Sequence, residues 1–478
     1  MRGLLFTLNV AVFVLVCSST YAQQDNTLFM MHNIPQSNFL NPAIQINCLR
    51  YVGVPMLSSF HFNANSTGFS YGDISQGSAI DVRALVSQMH GWDYLSGEVH
   101  YTPVSFGFMY DRYRYFSFAW TERIETKLFV PRKLVSLFAN GNTQYVSNGL
   151  KTSNPGLNAF YYREFSIGYS KKVQKDLMLG VHAKILFGLA GITTRRNPVS
   201  MDINPLTYNI DAKWKPEVNT TYPLSVSTDA QGNVNNISLS GFSPLSFFMN
   251  FGNQGLAFDF GFIKEKGKIT YSGSILDLGF IWWHKNTTRF VNSGHFVYRG
   301  ATTDDINNPS DYISELGDSI SNQVKFSYNK KGYLTFLNPK VYFGATYPVH
   351  PQINVGGLIR AEWYPGRPVV GATLSATVFG VKGGSLALTY SAMNGSFMNI
   401  GFGVGWGGEK FQFYTTTDNF MVAFFPEKAR NANLRFGLNL FFGCTEEKKK
   451  KVNVPRTNGC GCYWDQDLKE KRKQAGVN

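Results

Sequence analysis

Large apolar residues alternate with small or polar residues along much of the chain. The clearest example is the segment 434–442, where apolar residues occupy every second position and Arg435, Gly437 and Asn439 lie between them. A period of two is typical of a β-strand, because successive side chains point to opposite faces. The second face is rich in Gly and Asn, as in the lumen of a membrane barrel, so the pattern favours apolar side chains that face lipid.

The same alternation predicts fourteen strands. They are expected near residues 51–62, 97–111, 113–128, 158–171, 177–192, 253–263, 268–283, 338–347, 352–364, 367–379, 383–393, 397–406, 409–418 and 432–442. An even number of strands returns both chain ends to one side of the membrane. The predicted fold class is therefore all-β: a transmembrane, antiparallel up-and-down β-barrel of about fourteen strands.

The lengths of the connections support this count independently. Bacterial outer-membrane barrels have short turns on the periplasmic side and long loops outside. In the predicted barrel the long segments all fall on one side, at residues 63–96, 129–157, 193–252 and 284–337. A missing strand would scramble this separation.

Short helices are predicted in three of these long segments, because apolar residues recur there at helical spacing. Asp81 is a candidate N-cap for a helix near 82–89, Gly141 follows a second helix near 134–138, and a weaker third pattern lies near 313–320. The simplest interpretation is that these helices cap the loops, and a partner-binding role is the alternative.

The first residues predict a signal peptide over residues 1–22. Arg2 supplies a positive start and Leu4–Val16 an apolar stretch too short to cross a bilayer, so we expect cleavage after Ala22. Elsewhere no apolar run reaches the roughly eighteen residues that a spanning helix needs. A mature chain that lies in a membrane must therefore cross it as strands.

The mature chain is expected to have three parts: an N-terminal plug over residues 23–48, the barrel over 49–444, and a basic periplasmic tail over 445–478. The predicted plug carries large apolar residues among polar ones, including Phe29, Met30, Met31, Ile34, Phe39 and Leu40. A segment this apolar gains free energy when it is buried, and the lumen is the nearest enclosed surface.

Composition agrees with a membrane barrel and argues against nucleic-acid binding. Aromatic residues make up 15% of the 478 residues and charged residues only 16%, below the quarter or so that is usual for soluble domains. The formal net charge is +14, but the basic residues are scattered through turns and the tail. We therefore expect anionic outer-membrane lipid as a partner, and no nucleic acid.

The sequence contains no recognisable motif of an enzyme or a metal site. None of the eight histidines lies in a catalytic arrangement, and there is neither a Gly-x-Ser-x-Gly elbow nor a His-Glu-x-x-His helix. No Cys/His spacing is typical of zinc binding. No catalytic residue, metal or cofactor is predicted.

Four cysteines remain after the expected cleavage, at Cys48, Cys444, Cys460 and Cys462. A secreted domain held together by disulfides would have a higher density of cysteine. The pair in the tail, Cys460 and Cys462, is interpreted as part of a passive or disulfide-linked tail, with a redox element as the alternative.

Seven ionisable residues are expected on the inward face, where alternation places them beside small residues. They are His182, Lys184, Asp259, Asp277, Lys340, Arg360 and Glu362. A charge in a narrow lumen must be solvated or paired. These residues either pair with one another and with the plug, or line a path for a substrate.

Two motifs, Gln36–Ala43 and Ser274–Trp282, resemble a family of uncharacterised outer-membrane barrels of Bacteroidota, a conserved domain of unknown function. The resemblance covers roughly residues 25–444. The resemblance gives no information about the role of the tail, because the tail begins after Cys444.

A more distant resemblance connects the chain to the long-chain fatty-acid transporter superfamily, which also includes accessory barrels of the type IX secretion system. Asn41, Pro42 and Ala43 resemble the N-terminal hatch motif of that superfamily, and Tyr162–Tyr169 resembles its central hairpin. The resemblance implies a fourteen-stranded barrel whose N-terminal segment folds inward as a plug.

Two functions follow as hypotheses for a protein of the cell outer membrane. The first is a plugged barrel that takes part in transport of hydrophobic small molecules, which the hatch motif and the apolar loop helices favour. The alternative is a structural or secretion-linked barrel that holds partner proteins through its loops and tail, which the basic run Lys448–Lys451 favours.

Overall fold

The computed structural model describes residues 25–444 with gaps at 47, 71, 74–81, 147, 196, 208, 223, 229–233, 240–244, 246, 248, 293–294, 299–325, 365–366, 381–383, 394–395 and 409. Three predictions lie outside the described residues: the signal peptide, the helix near 313–320 and the tail over 445–478. The N-cap proposed at residue 81 lies outside them too.

Fourteen antiparallel strands form the barrel. Two of them consist of two runs each: β1 (Cys48–Gly53 and Ser59–Ser66) and β8 (Tyr333–Phe336 and Lys340–His350). The others are β2 (Trp92–Met109), β3 (Arg114–Pro131), β4 (Gly156–Gln174), β5 (Leu177–Thr194), β6 (Gln254–Lys266), β7 (Ile269–Trp283), β9 (Ile353–Tyr364), β10 (Arg367–Phe379), β11 (Ser385–Met393), β12 (Ser396–Gly407), β13 (Phe411–Thr417) and β14 (Asn431–Cys444).

The barrel closes between its first and last strands. Strand β14 pairs with β13 on one side and with β1 on the other, where Phe60 lies opposite Phe436 and His61 opposite Arg435. Each remaining strand pairs with its neighbours in the chain. The predicted fold class is confirmed, and each of the fourteen predicted strands overlaps an observed one.

The two faces of the barrel have the opposite polarity to those of a soluble protein. Leu374 at the middle of β10 is 66% exposed, whereas its neighbour Thr373 is 3% exposed. The same contrast recurs in β11 between Leu388 and Thr389, and in β14 between Leu434 and Arg435. An exposed apolar band around a polar interior is the arrangement that a barrel needs in lipid.

Strands β2, β3, β4 and β5 extend well past this band. They have 18 or 19 residues each, whereas about 9–11 residues are enough to cross a bilayer. Three short strands add to the barrel wall at their long-loop end: Glu217–Thr221, Thr287–Val291 and Ser327–Asn329.

The long connections contain β-structure that the alternation did not predict. Four strands form a separate sheet: Leu150–Ser153, Pro198–Ile203, Ile210–Lys213 and His295–Tyr298. A further hairpin joins Leu224–Thr228 to Val234–Leu239. These strands are mostly four to six residues long, too short for periodicity to distinguish them from loops.

Three short α-helices are present in the described residues: α1 (Asn26–Phe29), α2 (Val82–Gln88) and α3 (Arg132–Asn140). Helices α2 and α3 match the two predicted loop helices, and Gly141 follows α3 with a positive φ of 74°. Single turns of 3₁₀-helix occur at Pro35–Phe39, Thr143–Tyr145, Phe420–Ala423 and Pro426–Lys428. In the described part of the chain, no helix combines the length and apolarity needed to cross a membrane.

A disulfide joins Cys48, at the start of β1, to Cys444, at the end of β14. These two residues are opposite each other in the strand pairing that closes the barrel. No pairing of these two cysteines was predicted from the sequence. Their positions at the two ends of the predicted barrel were the available signal, since closure makes the first and last strands neighbours.

Candidate functional site

Residues 25–46, here called the N-terminal segment, lie inside the ring of strands. Six of its apolar residues belong to one buried cluster: Leu28, Phe29, Met30, Met31, Ile34 and Leu40. The barrel side of this cluster consists of inward-facing residues from five strands: Leu276, Tyr342, Leu358, Ala387 and Tyr414. The ring of Phe29 stacks on that of Tyr342 with centroids 5.1 Å apart.

The barrel wall supplies the polar groups that fix the start of this segment. Helix α1 has only four residues, and so short a helix is not stable by itself. The backbone N–H groups of Asn26 and Thr27 donate to the carboxylate of Asp418, at 3.1 and 2.7 Å. A carboxylate at the first turn satisfies N–H groups that have no partner within the helix.

Asp25 binds the last strand through Arg435. Both oxygens of its carboxylate accept hydrogen bonds from the guanidinium, at 2.8 and 2.6 Å. Burial by itself would raise the pKa of Asp25, but the charge of Arg435 and the nearby imidazole of His61 hold that pKa below its usual range. Asp25 is therefore an ionised carboxylate in the lumen, where it pairs with an arginine of the barrel wall.

Two amide side chains hold the middle of the segment. Gln36 and Asn439 exchange two hydrogen bonds through their side-chain amides, at 2.6 and 2.9 Å. The Oδ1 atom of Asn38 accepts a hydrogen bond from the Ser117 hydroxyl at 3.1 Å and lies 3.0 Å from Nε2 of His182. Gln36 and Asn38 belong to the motif Gln36–Ala43, but no role was predicted for their side chains, whereas Asn439 was expected to face the lumen.

Asn41, Pro42 and Ala43 pack against strands β5 and β6. The Asn41 side chain turns back to accept the Ala43 N–H at 3.0 Å and donates to the carbonyl oxygen of Phe262 at 3.2 Å. A Cβ atom at Gly180 would overlap the carbonyl oxygen of Pro42, and one at Gly261 would overlap Oδ1 of Asn41. The close approach of this tripeptide to the wall therefore requires glycine at both positions.

Four of the seven charges expected in the lumen come together on strands β5, β6 and β7. Asp277 accepts hydrogen bonds from Arg123, at 2.9 Å to each oxygen, and from Lys184 at 2.8 Å. Lys184 also lies 2.8 Å from Asp259, and Nδ1 of His182 lies 3.1 Å from the same carboxylate. All five side chains are buried, so each charge is compensated by a partner from another strand.

A β-bulge brings Asp277 into this cluster. Between the pairs Phe258–Leu278 and Phe260–Ile275, Asp259 faces two residues of β7, Leu276 and Asp277. Asp277 has a φ of 59°, and its N–H donates to Asp259 at 2.8 Å. A bulge is a common way to re-aim a side chain, and here both Leu276 and Asp277 are buried.

The remaining three charges lie nearby but pair differently. Arg360 and Glu362 contact each other at 2.5 Å, and Glu362 also accepts a hydrogen bond from Lys127 at 3.1 Å. Lys340 donates to Glu98 at 3.1 Å. The partners on β2 and β3 were not identified from the sequence. Arg123 and Lys127 lie on one face of β3 at even spacing, and that pattern could have identified them.

A small cavity of about 70 Å³ is lined by residues of the N-terminal segment and by several of these charges. Its walls include Asp25, Leu40, Arg123, Asp277 and Lys340. This volume suits a few water molecules, and it is far below the roughly 300–1,000 Å³ of a pocket for an organic ligand.

These features define a closed fourteen-stranded barrel whose interior holds its own N-terminal segment. The family model for a "Family of unknown function (DUF5723)" matches residues 42–418, most of the chain, so the protein belongs to that family. Membership of a family of unknown function was expected, and it is confirmed. The assignment to Bacteroidota stays a prediction. A search of curated proteins gives no match.

Several solved barrels are similar in outline. A FadL homologue from Pseudomonas aeruginosa is 8% identical over 90% of this chain and 100% of its own, with a TM-score of 0.39. The P. putida toluene transporter TodX is 9% identical over 89% and 96%, with a TM-score of 0.37. The translocator domain of the Neisseria meningitidis autotransporter NalP is 9% identical over 88% and 100%, with a TM-score of 0.30. Likenesses at this level carry no functional argument.

Proposed function

We propose that the protein is an outer-membrane barrel that is closed at rest by a plug, residues 23–48, and that takes part in transport of hydrophobic small molecules. One observation carries the proposal. The apolar half of the N-terminal segment packs on inward-facing apolar residues, which include Leu276, Tyr342 and Leu358. If the plug withdraws, these residues line an apolar strip inside an otherwise polar lumen.

The exposed apolar band supports the location in a membrane. The start of β1 at Cys48 and the end of β14 at Cys444 lie on the side of the short turns, as expected for the periplasmic side of an outer-membrane barrel. A barrel of fourteen strands is intermediate between eight-stranded barrels, which side chains can fill, and porins of about sixteen strands, which leave a channel. The plug then provides the filling that the inward side chains alone cannot.

The contacts of the plug are of a kind that can be broken and reformed. Asp25 and Gln36 hold the wall through hydrogen bonds, and Asn41 and Pro42 through close packing on glycine. Each of these contacts joins the plug to the barrel wall, so release of the plug requires no change in strand pairing.

A second candidate function is a structural or secretion-linked barrel that holds partner proteins through its loops and tail. The buried ion pairs favour this candidate. They connect strands far apart in sequence, such as β3 to β7 through Arg123 and Asp277 and β3 to β9 through Lys127 and Glu362. They make the interior rigid, and the cavity of about 70 Å³ is too small for an organic ligand.

Conductance and uptake separate the two candidates. Intact protein in planar bilayers should be closed to ions, and deletion of residues 23–45 should raise the conductance well above that of the intact barrel. If intact protein conducts like an open porin, the plug proposal is wrong. If it is closed and vesicles that contain it take up no long-chain fatty acid, the structural candidate is favoured. A crosslinked partner that is lost on truncation after Cys444 would then support it.

A further inference from the structure

Strands β1 and β2 bring two histidines and a glutamate together inside the lumen. His61 and His100 are directly opposite each other in the antiparallel pairing, with ring centroids 5.3 Å apart. Glu98 stands two residues before His100 and therefore on the same face. One possible ligand atom from each of the three side chains lies within 4.8 Å of the other two.

These side chains are short of hydrogen bonds for groups so deeply buried. His61 is 1% exposed and Glu98 is 0% exposed. Among the described residues, neither ring nitrogen of His61, nor Nε2 of His100, nor Oε1 of Glu98 has a hydrogen-bond partner. Buried polar groups are almost always paired in folded proteins, so three such side chains that meet at one place indicate a missing partner.

We propose that His61, Glu98 and His100 bind a divalent transition-metal ion of the zinc class. Two imidazoles and one carboxylate form a recognised ligand set for Zn²⁺, in which a fourth position is open to water. Zinc bonds of about 2.0–2.1 Å place tetrahedral ligand atoms about 3.4 Å apart. The present spacing of up to 4.8 Å must therefore shorten by about 1.4 Å when the metal binds.

The surroundings suit this role for each ligand. Nδ1 of His61 lies 3.4 Å from the carboxylate of Asp25, and a carboxylate behind a metal-bound histidine orients the ring and raises its basicity. Oε2 of Glu98 accepts a hydrogen bond from Lys340, which leaves Oε1 for the metal. Because Asp25 belongs to the N-terminal segment, the metal adds a contact between that segment and the first two strands.

The direct test measures Zn²⁺ binding to the full mature chain, folded in detergent and free of any histidine tag. Equilibrium dialysis followed by elemental analysis should find one Zn²⁺ for each chain. His61→Gln and His100→Gln should each weaken binding by about tenfold or more, the size of effect seen when metal sites lose a supporting group. The control His284→Gln alters an exposed histidine and should leave binding unchanged.

Co²⁺ provides a second readout, because a tetrahedral site with two imidazoles gives an intense visible absorption that the two variants should lose. Zinc content no higher than in a protein-free detergent blank would overturn the proposal, and so would equal binding by all three variants. If the variants fail to fold, anomalous scattering from wild-type crystals soaked in Zn²⁺ decides the matter. A peak among the three side chains supports the site, and a peak elsewhere or none contradicts it.

Discussion

Asp25 and Arg435 lie 410 positions apart in the sequence and form a two-pronged ion pair in the middle of the barrel. Asp25 is the first described residue of the N-terminal segment, and Arg435 is on the strand that closes the ring. The pair therefore joins the start of the segment to the end of the barrel. Both side chains are buried, so neither charge is well hydrated if the other is lost.

Arg435→Gln should loosen the N-terminal segment. Loss of one partner of a buried ion pair costs about 3–5 kcal/mol, because the other charge is left without compensation. We expect a lower melting temperature and faster hydrogen exchange at residues 25–31. Arg435→Lys, which keeps the charge but not the two-pronged geometry, should give a smaller change. Unaltered exchange in Arg435→Gln would show that the pair does not hold the segment.

The same pair predicts a dependence on pH. Since the pKa of Asp25 in the folded protein lies below its ordinary value of 3.8, its stabilising effect is complete above that value and is lost as the pH falls below about 4. The difference in melting temperature between wild type and Asp25→Asn should therefore be largest near neutral pH and shrink in acid. A difference that is constant from pH 7 to pH 3 would contradict this.

Gly261→Ala should displace the Asn41–Ala43 tripeptide without disturbing assembly. The added methyl group would overlap the Asn41 side chain, and overpacking of this kind costs about 1–3 kcal/mol. Under the proposed function, the variant should show openings in planar bilayers that wild type lacks. Gly97→Ala is the matched control, because a Cβ atom at Gly97 would meet nothing within 4 Å. Equal conductance in the two variants would argue against a gating role for the tripeptide.

Leu374→Arg tests the orientation of the outer face. Leu374 is exposed at the middle of β10, and an arginine on the lipid face costs about 2–4 kcal/mol near the bilayer midplane. We expect a clear loss of folded protein in the membrane fraction. Leu206→Arg makes the same substitution at a loop residue that is 89% exposed, and it should assemble normally. Equal yields would mean that the apolar band does not face lipid.

Reduction of the disulfide between Cys48 and Cys444 should weaken the seam of the barrel. A native disulfide typically contributes about 2–4 kcal/mol to stability, and this one joins the two strands whose pairing closes the ring. A reducing agent should lower the temperature at which wild type unfolds on heat-modifiability gels. Cys48→Ser should unfold at that lower temperature with or without reductant. A wild-type barrel insensitive to reduction would show that strand pairing alone maintains closure.

The architecture was predictable because its signal is local and repeated. Alternation in segments such as 434–442 identifies both the strand and its lipid-facing side, since in lipid the apolar face must point outward. The number of strands followed from counting such segments, and the lengths of the connections checked the count. The short strands of the loop sheet gave too little periodicity, and they were missed.

The partners of the interior residues depended on the closure of the barrel. Alternation assigned Lys340 to the lumen, but only the curvature of the sheet places it beside Glu98 on a strand 242 positions earlier. The inward turn of Asp277 required a bulge, which breaks the alternation instead of following it. His61 and His100 have no zinc-like spacing in the chain and meet only through the register of two paired strands.

The sequence by itself determined which face of each strand is exposed to lipid and which faces the lumen, because that choice depends on the polarity of single residues. The tertiary structure decided which charges, histidines and cysteines are in contact. Strand register and closure of the barrel bring these residues together, and their separation along the chain does not predict the contacts.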